Sequence, residues 1–201
     1  IPVATTWEYG DWLSFEKLES LSGRINGADG KRAVRNAETN LGDLCADAYR
    51  ILLGADIAFV NGGGVRDNIK VGDITYGDII KVHPFGNEAC LVEVTGQQIK
   101  DALELGSAAY PGESGGFLQV SGLTYTINAD IPSSVVKNDK SEFVKVDGAY
   151  RVSDIMVGGQ PLDVNKTYTL ASHNYMLKQG GDGYTMFGTD NVKLIKDGVM
   201  I

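Results

Sequence analysis

Asp56-Ile57-Ala58-Phe59-Val60-Asn61-Gly62-Gly63-Gly64-Val65-Arg66 reads as a short apolar strand that runs straight into a glycine turn, with an arginine just beyond it. A mostly apolar run without alternation is the pattern of a strand buried on both faces. Glycine allows positive φ and close approach of another group to the backbone. A turn of this kind at a strand end commonly holds a ligand. The competing reading is a tight turn with a solvated arginine.

Working outward, Leu41, Leu44, Cys45, Ala48, Ile51 and Leu52 recur every three or four residues, which predicts a helix over about 40–53. Asn40 is expected to cap it and Gly54 to end it. Thr75 or Tyr76 opens a second helix to about Val82, stopped by Pro84. Glu88–Val94 reads as a strand. A third helix starts at Thr95-Gly96-Gln97-Gln98 and ends near Gly106.

The second half is different. Residues 117–120 and 123–127 read as strands on either side of Ser121-Gly122, and 129–148 as polar loop. Residues 150–157, the turn 158–161 and residues 167–172 suggest an antiparallel hairpin. Residues 1–22 form a lead-in segment, partly helical. With helices early and strands late, the fold class is α+β, with mixed sheets and a few helices.

A chain of 201 residues fits one domain or two small ones. Its 26 glycines gather in short runs, which favours tight turns over a linker. A net charge of −8 disfavours nucleic acid and anionic membranes as partners, though a local arginine pocket could still take a small anion. Cys45 and Cys90 have apolar neighbours and read as buried thiols, with a single disulfide as the alternative. No apolar run approaches the roughly 20 residues of a membrane span. The first residue is Ile1, so a mature product or an excised piece is expected.

A second glycine-flanked segment, Gly180-Gly181-Asp182-Gly183-Tyr184, presents an aspartate to a donor pair such as two hydroxyls, unless it only shapes a turn or a calcium-like site. Arg35, upstream of the first helix, is either a ligand arginine or half of a surface ion pair with Glu38. Phe85, between Pro84 and Gly86, is a core plug or a stacking surface. His83 and His173 lack the spacing of metal ligands and read as packing or hydrogen-bonding residues. Neither a Gly-x-Ser-x-Gly nor a Walker A motif occurs. Donors, acceptors and rings in this combination suit a nucleoside or nucleotide, with no catalytic residue and no metal ligand assigned.

Taken in order, Arg35-x-x-Glu38-x-Asn40-Leu41-Gly42, Asn61–Asp67, Gly72–Tyr76, Pro84–Asn87, Gly116–Gly122 and Gly180–Tyr184 resemble the C-terminal domain of the 5′-nucleotidase, UDP-sugar hydrolase and 2′,3′-cyclic-nucleotide phosphodiesterase family. The resemblance runs from about residue 22 to 190, and it sets residues 23–201 as one nucleoside-binding domain. It implies a two-domain hydrolase whose N-terminal metallophosphatase domain, absent here, carries two divalent metal ions. That domain is the expected partner, besides the nucleotide itself. Arg35, Arg66, Asn61 and the Gly64 turn would contact the phosphate or ribose end, Phe85 would stack on the base, and Asp182 would accept from the ribose hydroxyls. A domain rotation, as is thought for many members, would leave both arginines solvent-exposed in this chain.

Where the family has an aromatic six residues before that aspartate, this sequence has Met176, with Tyr175 one residue earlier. Tyr175 is expected to supply the ring. The resemblance also implies an extracellular, periplasmic or surface-attached protein. It leaves open a cyclic-nucleotide or nucleotide-sugar enzyme, and a non-enzymatic adhesion module.

Overall fold

The computed structural model describes residues 2–4, 32–69 and 73–200. Its centre is a five-stranded mixed sheet. β2 (Ile57–Asn61) lies inside it, parallel to β10 (Thr167–His173) and antiparallel to β4 (Leu118–Ser121). β10 pairs on its other side with β3 (Glu88–Thr95), and β11 (Lys193–Met200) closes the edge. All five β2 residues are buried, and its side chains alternate between two cores. Ile57 and Phe59 face one, Ala58 and Val60 the other.

Helix α1 (Asn40–Leu53) covers one face, burying Leu41, Cys45, Ala46 and Tyr49 with Ala58, Val60 and Leu91. On the other face lies helix α3 (Gly96–Ser107), between this sheet and a second one. The second sheet holds β1 (Pro2–Ala4), β5 (Leu123–Ile127), β8 (Val152–Val157) and β9 (Gln160–Pro161). Glu104 of α3 is fully buried and accepts from the Arg151 and Val152 amides, tying the helix to β8. Burial raises its pKa. The α+β class therefore holds, with helix α2 (Tyr76–Val82) and the one-turn α4 (Asn174–Leu177) as the other α-helices among the described residues.

Several expectations need correction. The cap of α1 is Thr39, whose hydroxyl accepts from the Gly42 amide, not Asn40. Its position is fixed from 80 residues away by Gln119, whose amide oxygen accepts from the Thr39 amide at 2.9 Å. The hairpin read over 150–172 does not form. Gly158-Gly159 turns β8 only into the short β9, while β10 joins the central sheet. Leu170, Ala171 and Ser172 are all fully buried, which a hairpin exposed on one face would not provide. Residues 129–148 are not all loop: β6 (Val135–Lys137) pairs with β7 (Phe143–Val146), and Val135 and Phe143 pack against the core. Cys45 and Cys90 are both free and buried. Of the lead-in segment, only residues 2–4 are described, as strand β1 paired to β5. The rest lies outside the described residues, as does Gly72.

Candidate functional site

The residues that matter lie at the ends of β2 and β10. β2 ends at Asn61, and a single 3-10 turn, Gly62–Gly64, follows it. The Gly62 and Gly63 amides donate to Phe117 O and Gly115 O, both at 2.7 Å, so the turn is tied to the chain entering β4. A Cβ on Gly64 would lie 2.7 Å from Asn61 Oδ1, so only glycine leaves the Asn61 amide room to fold back over the turn.

From β10 the chain passes through α4 into Gly180–Tyr184. Gly181 packs beneath the Tyr175 ring, where a Cβ would come within 2.3 Å of a ring carbon. Asp182 adopts a left-handed backbone, φ 55°, a conformation aspartate tolerates better than most side chains. Its amide donates to the Tyr175 hydroxyl, and that hydroxyl donates to Asp182 Oδ1, both at 3.2 Å. Asp182 Oδ2 accepts from Asn61 Nδ2 at 2.5 Å. Two loops far apart in sequence thus close on each other through side chains.

The arginines come from separate turns. Arg35 ends a 3-10 turn at Ala33–Arg35, which Gln119 holds by donating to Val34 O and Ala37 O at 3.2 and 2.8 Å. Burial first, then the like charges of Arg32 and Arg66, lower the Arg35 pKa, against the opposing pull of Glu113 and Asp182. Two guanidinium groups, Arg35 and Arg66, line the cleft of an acidic chain. Arg32 pairs with Glu113 at 3.2 Å, whereas Arg35 lines the cleft. Arg66 donates to Gly63 O at 3.2 Å, and its guanidinium carbon lies 5.6 Å from the Phe85 ring centroid. Both arginines are half-buried where solvent exposure was expected, and Arg66 is held against the turn by its bond to Gly63 O.

All seven residues singled out from the sequence, Arg35, Asn61, Gly64, Arg66, Phe85, Tyr175 and Asp182, line one cavity of about 400 Å³, with Gly63, Asn87 and Gly115. Phe85 is not a core plug: it is 59% exposed. Tyr175 faces the cavity, and Met176, the alternative, is fully buried in the core. Sequence reasoning gave no role to Asn87 or Gly115. Asn87 stood within a motif, two residues past Phe85, and that was the only signal. His173 is a hydrogen-bonding residue, with Nε2 3.0 Å from Asn61 Oδ1.

The cavity falls within the size range of small-molecule sites. It offers a ring to stack on, a carboxylate for hydroxyl donors and a cationic rim for an anion. Among the described residues, no group of three or more His, Cys, Asp or Glu could hold a metal ion, and no helix is long and apolar enough to cross a membrane.

Residues 21–189 match the family described as 5′-nucleotidase, C-terminal domain. The chain is 36% identical over 170 residues to a 5′-nucleotidase of Vibrio cholerae serotype O1, covering 84% of this chain and 26% of that protein. It is 38% identical over 169 residues to the trifunctional nucleotide phosphoesterase protein YfkN of Bacillus subtilis, covering 79% of this chain and 10% of that protein. Among solved structures, a 5′-nucleotidase precursor from Thermus thermophilus superposes with a TM-score of 0.67 at 30% identity, covering 90% of this chain and 33% of that one. The chain thus spans about a quarter of the Vibrio relative's length and a third of the solved chain's.

Proposed function

This chain belongs to the 5′-nucleotidase C-terminal domain family, and from that premise we propose that its cleft grips the nucleoside part of a nucleotide for a phosphoester hydrolase. The observation that carries the reading is the convergence of Phe85, Tyr175, Asp182 and two arginines on one cavity.

In the proposed role the base lies between Phe85 and Tyr175, where stacking contributes about 1–3 kcal/mol per base. Asp182 accepts from the ribose hydroxyls, and Arg35 and Arg66 meet the phosphate end. Binding energy from base and ribose then orients a phosphoester that reacts outside this chain. The two divalent metal ions that the family resemblance implies have no fitting cluster among the described residues, so no step in this cleft runs through them. Elsewhere in a whole protein they would supply the Lewis acidity for hydrolysis. Residues 23–201 act as the recognition domain, with a metallophosphatase domain of the same protein as partner. The extracellular, periplasmic or surface location rests on the resemblance alone, and cytosolic recovery of the native protein would count against it.

Isothermal titration of the 201-residue chain with adenosine and with AMP tests the proposal. Binding by the unsubstituted chain, weakened about tenfold in Phe85→Ala, is expected. No heat at millimolar ligand would reject it. The same chain is expected to hydrolyse no nucleotide alone, and robust metal-dependent turnover would refute that part.

A further inference from the structure

His173 stands behind the cleft wall rather than in it. It ends β10 and is 1% exposed. Each ring nitrogen faces a different part of the site. Nδ1 accepts from the Met176 amide at 3.4 Å, capping the single turn that carries Tyr175. Nε2 lies 3.0 Å from Asn61 Oδ1. A nitrogen that accepts a backbone N–H carries no proton of its own, so in a neutral ring the proton sits on Nε2. The ring is neutral: burial, then the nearby His83, lowers its pKa to about 4.

The consequence runs outward along the hydrogen bonds. An Nε2–H requires an acceptor opposite it, which makes the near atom of the Asn61 amide its oxygen. The Asn61 nitrogen is then the atom that meets Asp182 Oδ2 at 2.5 Å. With the amide reversed, two oxygens would face each other at that distance, and the carboxylate would lose its donor. The Met176 amide thus decides the tautomer, the tautomer decides the amide, and the amide holds the carboxylate.

We propose that His173 is a positioning residue of this site: it fixes the direction of the Asn61 amide, and through it the placement of Asp182 for the sugar hydroxyls. Its role as a nucleoside-site residue rests on the nucleoside reading above. Asn61 alone does not specify its own orientation, because an amide presents a donor and an acceptor of nearly equal shape. Asp182 Oδ2 is held by Asn61, which leaves Oδ1, bonded to the Tyr175 hydroxyl, as the oxygen nearer a ligand on the Tyr175 side.

Two near-isosteric substitutions separate the two ends of the ring. Glutamine can place its amide nitrogen where Nε2 lies, keeping the donor to Asn61 and losing the helix cap. Asparagine can place its oxygen where Nδ1 lies, keeping the cap and losing the donor. Adenosine affinity by calorimetry is expected to stay within about threefold of the parent in His173→Gln and to fall about tenfold in His173→Asn. In an Asn61→Ala background, His173→Asn is expected to have no further effect. Equal losses in both variants, or a loss confined to His173→Gln, would overturn the proposal.

Nitrogen-15 NMR supplies a readout that needs no ligand. The Nε2–H tautomer at pH 7 is expected, with the Asn61 side-chain amide protons protected from exchange in His173→Gln and unprotected in His173→Asn. An Nδ1–H tautomer would overturn the positioning role. If the amide pattern holds while adenosine fails to bind the parent, the positioning of Asn61 stands and the nucleoside reading falls.

Discussion

The two walls of the cleft are built differently. On one side Asn61, Asp182 and Tyr175 are bonded to one another, backed by buried His173 and seated on glycines that admit no side chain. On the other, Phe85 stands 59% exposed after α2, a helix whose Tyr76 is 77% exposed, with Arg66 beside the ring. The first wall is set before any ligand arrives, so its contribution is orientation. The second is an open surface whose stacking value is realised only when a flat ligand covers it. Substitutions on the bonded wall should therefore disturb both structure and binding, and those on the open wall binding alone.

The largest effect is expected from Asp182→Ala. Loss of a carboxylate that accepts from hydroxyls, together with the stranding of Asn61 Nδ2, should weaken adenosine binding on the order of 100-fold. Calorimetry reads this, and a loss below about threefold would mean that the bonded wall does not touch the ligand.

Next comes acid. His173, whose ring faces Asn61, Tyr49, Tyr175 and His83, has a folded pKa of about 4 against an ordinary 6.5, lowered by burial and then by His83. His83 is lowered by burial as well. Because the folded values lie below the unfolded ones, the unfolded chain takes up protons first as pH falls. The stabilising contribution is full above about pH 6.5 and is lost on the way to pH 4, on the order of 3 kcal/mol. Denaturant melts of the parent against His173→Gln across that window measure it. Identical pH slopes would show that the ring titrates normally.

Phe85→Ala should cost about tenfold in affinity and leave the melting temperature unchanged, since an exposed ring holds little of the fold. A drop of several degrees would move Phe85 from the open wall to the core. Smallest of all is Tyr76→Ser on α2, expected to change stability by under about 0.5 kcal/mol and binding not at all. A measurable affinity change would extend the site along that helix.

How much of this was legible follows the same division. The strand into Gly62–Gly64, the helices near 40–53 and 76–82 and the start at Thr95-Gly96 are local patterns, and each could be read from its own residues. The residues that the motifs singled out all line one cleft, with Tyr175 rather than Met176 among them. What escaped depends on distant partners. Thr39 caps α1 because Gln119, 80 residues away, holds it. β10 leaves the hairpin read for it because β2 and β3 flank it on both edges. His173 carried no spacing signal, since its partner Asn61 lies 112 residues away.

A nitrogen-15 chemical-shift titration with adenosine addresses the shared cleft most directly. Progressive shifts are expected at the amides of Asn61, Gly64, Phe85, Tyr175 and Asp182 together, with one dissociation constant fitting them all. Shifts at only one wall, at neither, or with unrelated constants would contradict a single nucleoside site.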